Sequence, residues 1–104
     1  MSFGQIIAEA RKNAGLSQKD LAARIRKEDG TPISPQYLND IERDRRNPPA
    51  SYLLKQFANE LGLPLDYLHV VAGQLPEELR ATSGNKPEEV KAAIKAYRTA
   101  LKRK

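Results

Sequence analysis

The sequence predicts an all-α fold, and three observations carry that reading. Glycine and proline breakers divide the chain at Gly15, Gly30 to Pro32, Asn47 to Pro49, Gly62 to Pro64, Gly73 to Pro76 and Ser83 to Pro87, leaving pieces of helical length. Within those pieces apolar residues recur at spacings of three and four, which places them on one helix face. No stretch sustains the polar and apolar alternation that a strand requires.

The first helix runs from Phe3 to Asn13, with Phe3, Ile6, Ile7 and Ala10 in line. Ser2 and Gln5 form its capping box and Gly15 its left-handed stop. Ser17, with Asp20 three residues on, opens a second helix whose inward residues are Leu21, Ala22 and Ile25 and which is expected to run on as far as Glu28. Ser34 and Pro35 start a third: the hydroxyl caps an orphan amide, and proline at the first helical position loses no hydrogen bond. Leu38 and Ile41 are its inward pair. A fourth helix spans about Ala50 to Leu61, with Leu53, Leu54, Phe57, Ala58 and Leu61 on one face and Gly62 as its stop. The fifth, from about Leu65 to Ala72, is expected to bury Leu65, Leu68, Val71 and the ring of Tyr67.

Beyond Gly73, residues Pro76 to Ala81 suit a short helical turn and Thr82 to Lys86 a linker. A last helix opens with Pro87, Glu88 and Glu89 and closes with Lys102, Arg103 and Lys104, charges that oppose the macrodipole at both ends. Val90, Ile94, Tyr97 and Leu101 make a narrow apolar seam two heptads long, too short for a stable coiled coil alone. Three placements are open to it: against its own domain, against a second subunit, or partly helical in solvent.

Composition excludes several function classes. The chain has no cysteine, which removes thiol nucleophiles, iron–sulfur clusters and zinc ribbons, and His69 alone cannot supply a His-rich metal site. No metal or cofactor is expected. A surface or half-buried position without chemistry is expected for His69. No apolar run approaches the roughly 18 residues of a membrane span, and Met1 to Gln5 lacks a basic segment leading into a hydrophobic one. A soluble, unexported chain is therefore expected. The net charge of +5 belongs to the tail: residues 1–80 hold 11 Lys/Arg against 11 Asp/Glu, and residues 81–104 hold 7 against 2. One basic cluster survives in the first part, Arg43, Arg45 and Arg46, interrupted by Asp44.

Ala14 to Ala22 (AGLSQKDLA), Ile33-Ser34 through Leu38, Ile41-Glu42-Arg43, Arg46-Asn47-Pro48, Leu53-Leu54 and Leu61-Gly62-Leu63 closely resemble the phage-repressor-like (Cro/CI-type, XRE) helix-turn-helix family of bacterial and phage regulators. The resemblance spans about residues 3 to 73. It implies a compact five-helix DNA-binding domain over residues 1–73, followed by an accessory segment over 74–104, with the third helix entering the major groove. A helix fits that groove, where each base pair shows a distinct donor and acceptor pattern. On the third helix Gln36 suits adenine, Asn39 offers a second amide, and Tyr37 a contact to a thymine methyl or a phosphate. Asp40 suits cytosine as a specificity filter, or serves as a cap or ion pair. The resemblance assigns Gln18, near a helix N-terminus, to backbone phosphate and to the outer base of the half-site, with Lys19 beside it on phosphate. In this setting Arg43, Arg45 and Arg46 read as phosphate clamps, and Asn47 as a phosphate donor or a turn residue. The resemblance also pairs Arg11 with Glu42, an ion pair that ties the first and third helices and orients the arginine against phosphate.

The chain departs from the family pattern in two places. Seven residues, Arg26 through Pro32, separate Ile25 from Ile33 where relatives have a brief turn. Helix two is expected to run longer there and Asp29-Gly30-Thr31-Pro32 to fold back. Pro49 stands where helix four usually has a serine-like cap. The function these features imply is sequence-specific binding of double-stranded DNA by a cytoplasmic, nucleoid-associated homodimeric repressor acting by operator occupancy. No small-molecule effector and no membrane partner are expected. The alternative is an antitoxin or interaction module whose C-terminal segment binds a partner protein. Catalysis is not expected: the glycines form no phosphate loop, and Glu77/Glu78 and Glu88/Glu89 diverge on a helix.

Overall fold

The computed structural model describes residues 1–75 and 86–102, and the chain divides into two units, Met1–Gln74 and Leu75–Lys104. The first unit holds α1 (Phe3–Asn13), α2 (Gln18–Arg24), α3 (Pro35–Glu42), α4 (Ser51–Leu61) and α5 (Leu65–Val71). The second holds α6 (Pro87–Lys102). The fold is all-α. Among the described residues no strand occurs, only an isolated antiparallel bridge between Arg26 and Pro32. The turn expected at Pro76 to Ala81 and most of the expected linker lie outside the described residues.

The helices begin where their caps dictate. Ser2 and Gln5 exchange bonds at 3.1 and 2.9 Å, and Ser17 and Asp20 do the same at 2.9 and 3.2 Å, so both capping boxes close. The Ser17 bonds hold the Asp20 carboxyl below its ordinary pKa. Ser34 accepts the Tyr37 amide at 3.0 Å, with Pro35 in the first turn of α3. Helix α4 starts from Ala50, whose methyl side chain cannot cap; Pro49, expected in the capping place, stands one position earlier, and the helix ends on Gly62 in the left-handed region.

Ile7, Leu21, Ile25, Leu38, Ile41, Leu54, Phe57 and Leu68 are fully buried and form one core from all five helices. Each contributes roughly 1.5–3 kcal/mol against leaving it in water. Two expectations for α5 are corrected. Tyr67 is 44% exposed, whereas His69 is only 3% exposed, its Nε2 3.3 Å from the Ser51 hydroxyl. At 3.6 residues per turn the inward stripe through Leu65 and Leu68 continues to His69 and Ala72, leaving Tyr67 on the opposite face.

Helix α2 is also shorter than expected. It stops at Arg24, and Ile25 is already extended (ψ 123°). The cause lies in α4: Gln56 accepts the Arg26 N–H and donates to the Arg26 carbonyl, both at 2.7 Å, while Ile25 O accepts the Ile33 N–H at 2.9 Å. An extended backbone at Ile25 and Arg26 satisfies these groups, which a continuing helix would turn away. Residues 26–32 form a small hairpin instead. Lys27 N–H bonds Thr31 O at 2.8 Å, the Arg26 guanidinium reaches Gly30 O at 2.9 Å, and Gly30 takes φ +87° at the tip.

The N-terminus of α1 meets the end of α3 at close range. A Cβ on Gly4 would stand 2.4 Å from Ile41 O and 2.6 Å from Glu42 O, so glycine alone permits this approach. In the second unit no residue of α6 is buried, and Ile94, Tyr97 and Leu101 lie exposed along one face with Val90 half-buried at their head. No helix among the described residues is long and apolar enough to cross a membrane.

Candidate nucleic-acid interface

The cap at Ser34 leaves Ser34, Pro35 and Gln36 exposed at the start of α3, with Tyr37 half-buried beside them. Gln36 Nε2 donates to Asp40 Oδ1 at 3.0 Å, one turn along the same helix. The same carboxylate lies 3.8 Å from Arg45 Nη1 and 3.6 Å from Arg46 Nε. The Arg46 guanidinium lies 4.9 Å from the centre of the Tyr37 ring, within cation–π range. One acid therefore gathers Gln36, Arg45 and Arg46, and Tyr37 supports the last. The chain can fold back this far because Asp44 adopts φ 58° and Arg45 N–H bonds Asp40 O at 2.9 Å. Asp44 also anchors α1, accepting the Gly4 N–H at 2.9 Å and the Ser2 hydroxyl.

A second network lies beneath. Arg11 donates from Nε to Glu42 Oε2 at 2.7 Å, from Nη2 to Glu42 Oε1 at 3.1 Å, and from Nη1 to Leu16 O at 2.8 Å. Both residues are buried, so the pair ties α1 to α3. The Leu16 carbonyl and Glu42 together take three of the five guanidinium donors. Gln18 Nε2 donates to Glu42 Oε1 at 2.9 Å and to Asn39 Oδ1 at 3.1 Å, and Arg43 Nε reaches Asn39 Oδ1 at 3.3 Å. The carbonyl of Asn39 is thus engaged on the protein side, leaving its Nδ2 as the outward donor. Lys19 and Asn47 are exposed and join neither network.

The match to the helix-turn-helix family model covers residues 7–68, more than half of the chain. The chain belongs to the helix-turn-helix family, of the XRE type. As a member it is a DNA-binding transcription regulator. The helix-turn-helix protein is similar in fold to a solved structure of a SinR protein/SinI protein complex, with a TM-score of 0.53 at 23% identity over 98% of this chain and 99% of that one. No curated protein matches it.

In this helix-turn-helix protein the motif itself is α2, the hairpin and α3, and three residues that shape it were not singled out from the sequence. Asp44 looked like an interruption of the basic cluster, although aspartate is among the few residues that enter the left-handed region readily. Gly4 sits inside an amphipathic helix, where a glycine in place of a better helix former is the one local cue to a close helix contact. Gln56 lies among polar residues of α4 with no local signal for its bonds to Arg26.

Proposed function

We propose that the chain is a sequence-specific repressor that occupies a double-stranded operator as a homodimer and reads it with the first turns of α3. The observation that carries this reading is the exposed Ser34-capped turn, where Gln36 is braced by an Asp40 that also faces Arg45 and Arg46, with Arg43 on Asn39 one turn further on. Bracing one Nε2 proton of Gln36 leaves Oε1 and the second proton outward, the pair that adenine N6 and N7 require. Tyr37 and the Asn39 amide complete the base-facing set, with Asp40 acting on base choice through Gln36. Arg43, Arg45 and Arg46 supply phosphate contacts, joined by Lys19 and Asn47. The exposed pairs to Asp40 are worth only about 0–1 kcal/mol each, so phosphates displace them at little cost. Gln18 contributes by fixing Asn39 and Glu42, with its remaining amide capacity at the edge of the groove.

Two such surfaces on a homodimer would sit one helical turn, roughly 34 Å, apart on a partly palindromic site. Footprinting of a bound operator tests this: two protected patches symmetric about a dyad are expected, and a single unsymmetric patch contradicts the dimer. The protein would act in the cytoplasm, at the nucleoid, with no catalytic step and no small-molecule effector.

A second reading has two observations in its favour. The face of Ile94, Tyr97 and Leu101 on α6 is exposed, and a solved structure of similar fold is a complex of a SinR protein with a SinI protein. An antitoxin or interaction module would use that face for a partner protein. Deleting residues 83–104 separates the two: loss of self-association with operator sequence preference retained supports the repressor, and loss of a co-purifying protein supports the interaction module.

A further inference from the structure

The hairpin of residues 26–32 does more than bridge α2 and α3. Between it and the start of α3 lies a surface hollow of about 410 Å³, lined by Lys27, Pro32, Ile33, Ser34, Tyr37, Arg46 and Leu53. Two cations face this hollow from two separate elements, Lys27 from the hairpin and Arg46 from the loop after α3, and no carboxylate lines it. The two acids of the hairpin are placed elsewhere. Asp29 folds back on the tip, accepting Thr31 N–H at 2.9 Å and the Thr31 hydroxyl at 2.6 Å, bonds that hold its carboxyl below the ordinary pKa. Glu28 is exposed and does not reach the hollow. The summed charge of residues 26–29 is zero, yet the charge presented toward α3 is positive.

The hairpin is also held firmly enough to place a charge. Arg26 is fixed by two Gln56 bonds of 2.7 Å to α4, and the Lys27 N–H by the Thr31 carbonyl at 2.8 Å. Arg46 is steadied on the Tyr37 ring. Lys27 therefore comes to the hollow on an anchored backbone, and its long side chain alone remains free to adjust.

We propose that this hollow seats one phosphate of the DNA backbone between Lys27 and Arg46, making the hairpin a second DNA-binding element beside α3. The inference rests on the DNA-binding reading of α3. Its contribution is sequence-independent: a phosphate clamped at the amino end of the recognition helix fixes the depth and angle at which Gln36 meets the bases.

The test compares the full-length wild type with K27Q, K27R and R46Q on the selected operator and on random duplex across a salt series. K27Q is expected to weaken both duplexes by a similar factor and to lower the slope of log K against log salt by roughly 1, with K27R restoring both. Because Lys27 is exposed, the thermal midpoint of K27Q should match the wild type. Affinity and slope unchanged in K27Q, while the wild type still selects an operator, overturn the phosphate seat and leave the reading of α3 intact. Saturable binding of inorganic phosphate at constant ionic strength, abolished by K27Q with duplex affinity unaltered, assigns the hollow to a free anion and overturns the proposal. Absence of duplex binding by the wild type overturns both.

Discussion

The side-chain amide of Gln36 donates to the Asp40 carboxylate at 3.0 Å on the exposed face of α3, and that carboxylate also faces Arg45 and Arg46. This arrangement gives Asp40 two opposing effects on DNA binding: it orients an amide that reads bases, and it withholds two cations from phosphates. Asp40→Ala is expected to tighten binding to random duplex and to loosen discrimination among operators by part of the roughly 1–3 kcal/mol that a bidentate base contact provides. Competition of operator against random DNA measures both. Unchanged discrimination would show that Gln36 needs no brace.

Glu42 accepts bonds from Arg11 and Gln18 and lies 8% exposed. Replacing it by alanine strands the Arg11 guanidinium in the interior, at a cost of about 3–5 kcal/mol. A large drop in the melting temperature of Glu42→Ala is expected, accompanied by general rather than sequence-selective loss of DNA affinity. A melt identical to the wild type would mean the pair does not hold α1 to α3.

Gly4→Ala places a methyl group 2.4 Å from the Ile41 carbonyl and 2.6 Å from the Glu42 carbonyl, both of them backbone oxygens. Helix α1 must retreat from α3, at about 1–3 kcal/mol for an overpacked contact. Chemical denaturation should show a lower midpoint at unchanged cooperativity, and an unaltered midpoint would refute the close approach.

Acid stability follows from Asp20 and Asp29. Hydrogen bonds to Ser17 and to Thr31 hold the two carboxyls below the ordinary aspartate value, so the folded state binds their protons more weakly than the unfolded chain. The stability they add is fully present above the unfolded value near about pH 4 and is lost as pH falls through the lowered folded values. Asp20→Asn and Asp29→Asn should each flatten the acid limb of stability against pH, and a limb of unchanged steepness in both would contradict these bonds.

The helices were legible in the sequence because their signals are local. Ser2, Ser17 and Ser34 each start a helix by bonding an amide three residues away, and Gly62 ends one by its own backbone freedom. The Arg11 and Glu42 pair was legible only through family resemblance, since nothing local brings residues 31 positions apart together. What escaped depended on distant partners. The early end of α2 is decided by Gln56, thirty positions away from Arg26. The burial of His69 instead of Tyr67 turns on which of two opposed stripes of a seven-residue helix meets α4, too short a span for periodicity to decide. At the interface the residue types were readable, but their mutual bonds were not: the gathering of Gln36, Arg45 and Arg46 on Asp40 needs the left-handed turn at Asp44.

The most direct measurement is selection of bound sites from random duplexes by the wild type and by Gln36→Ala, a substitution on an exposed turn that leaves the core untouched. The wild type should enrich a partly palindromic motif, and the variant should lose preference at one base position in each half-site while keeping the rest. A wild type that enriches no motif, or a variant that recovers the same motif with the same preferences, would contradict base reading by the amino end of α3.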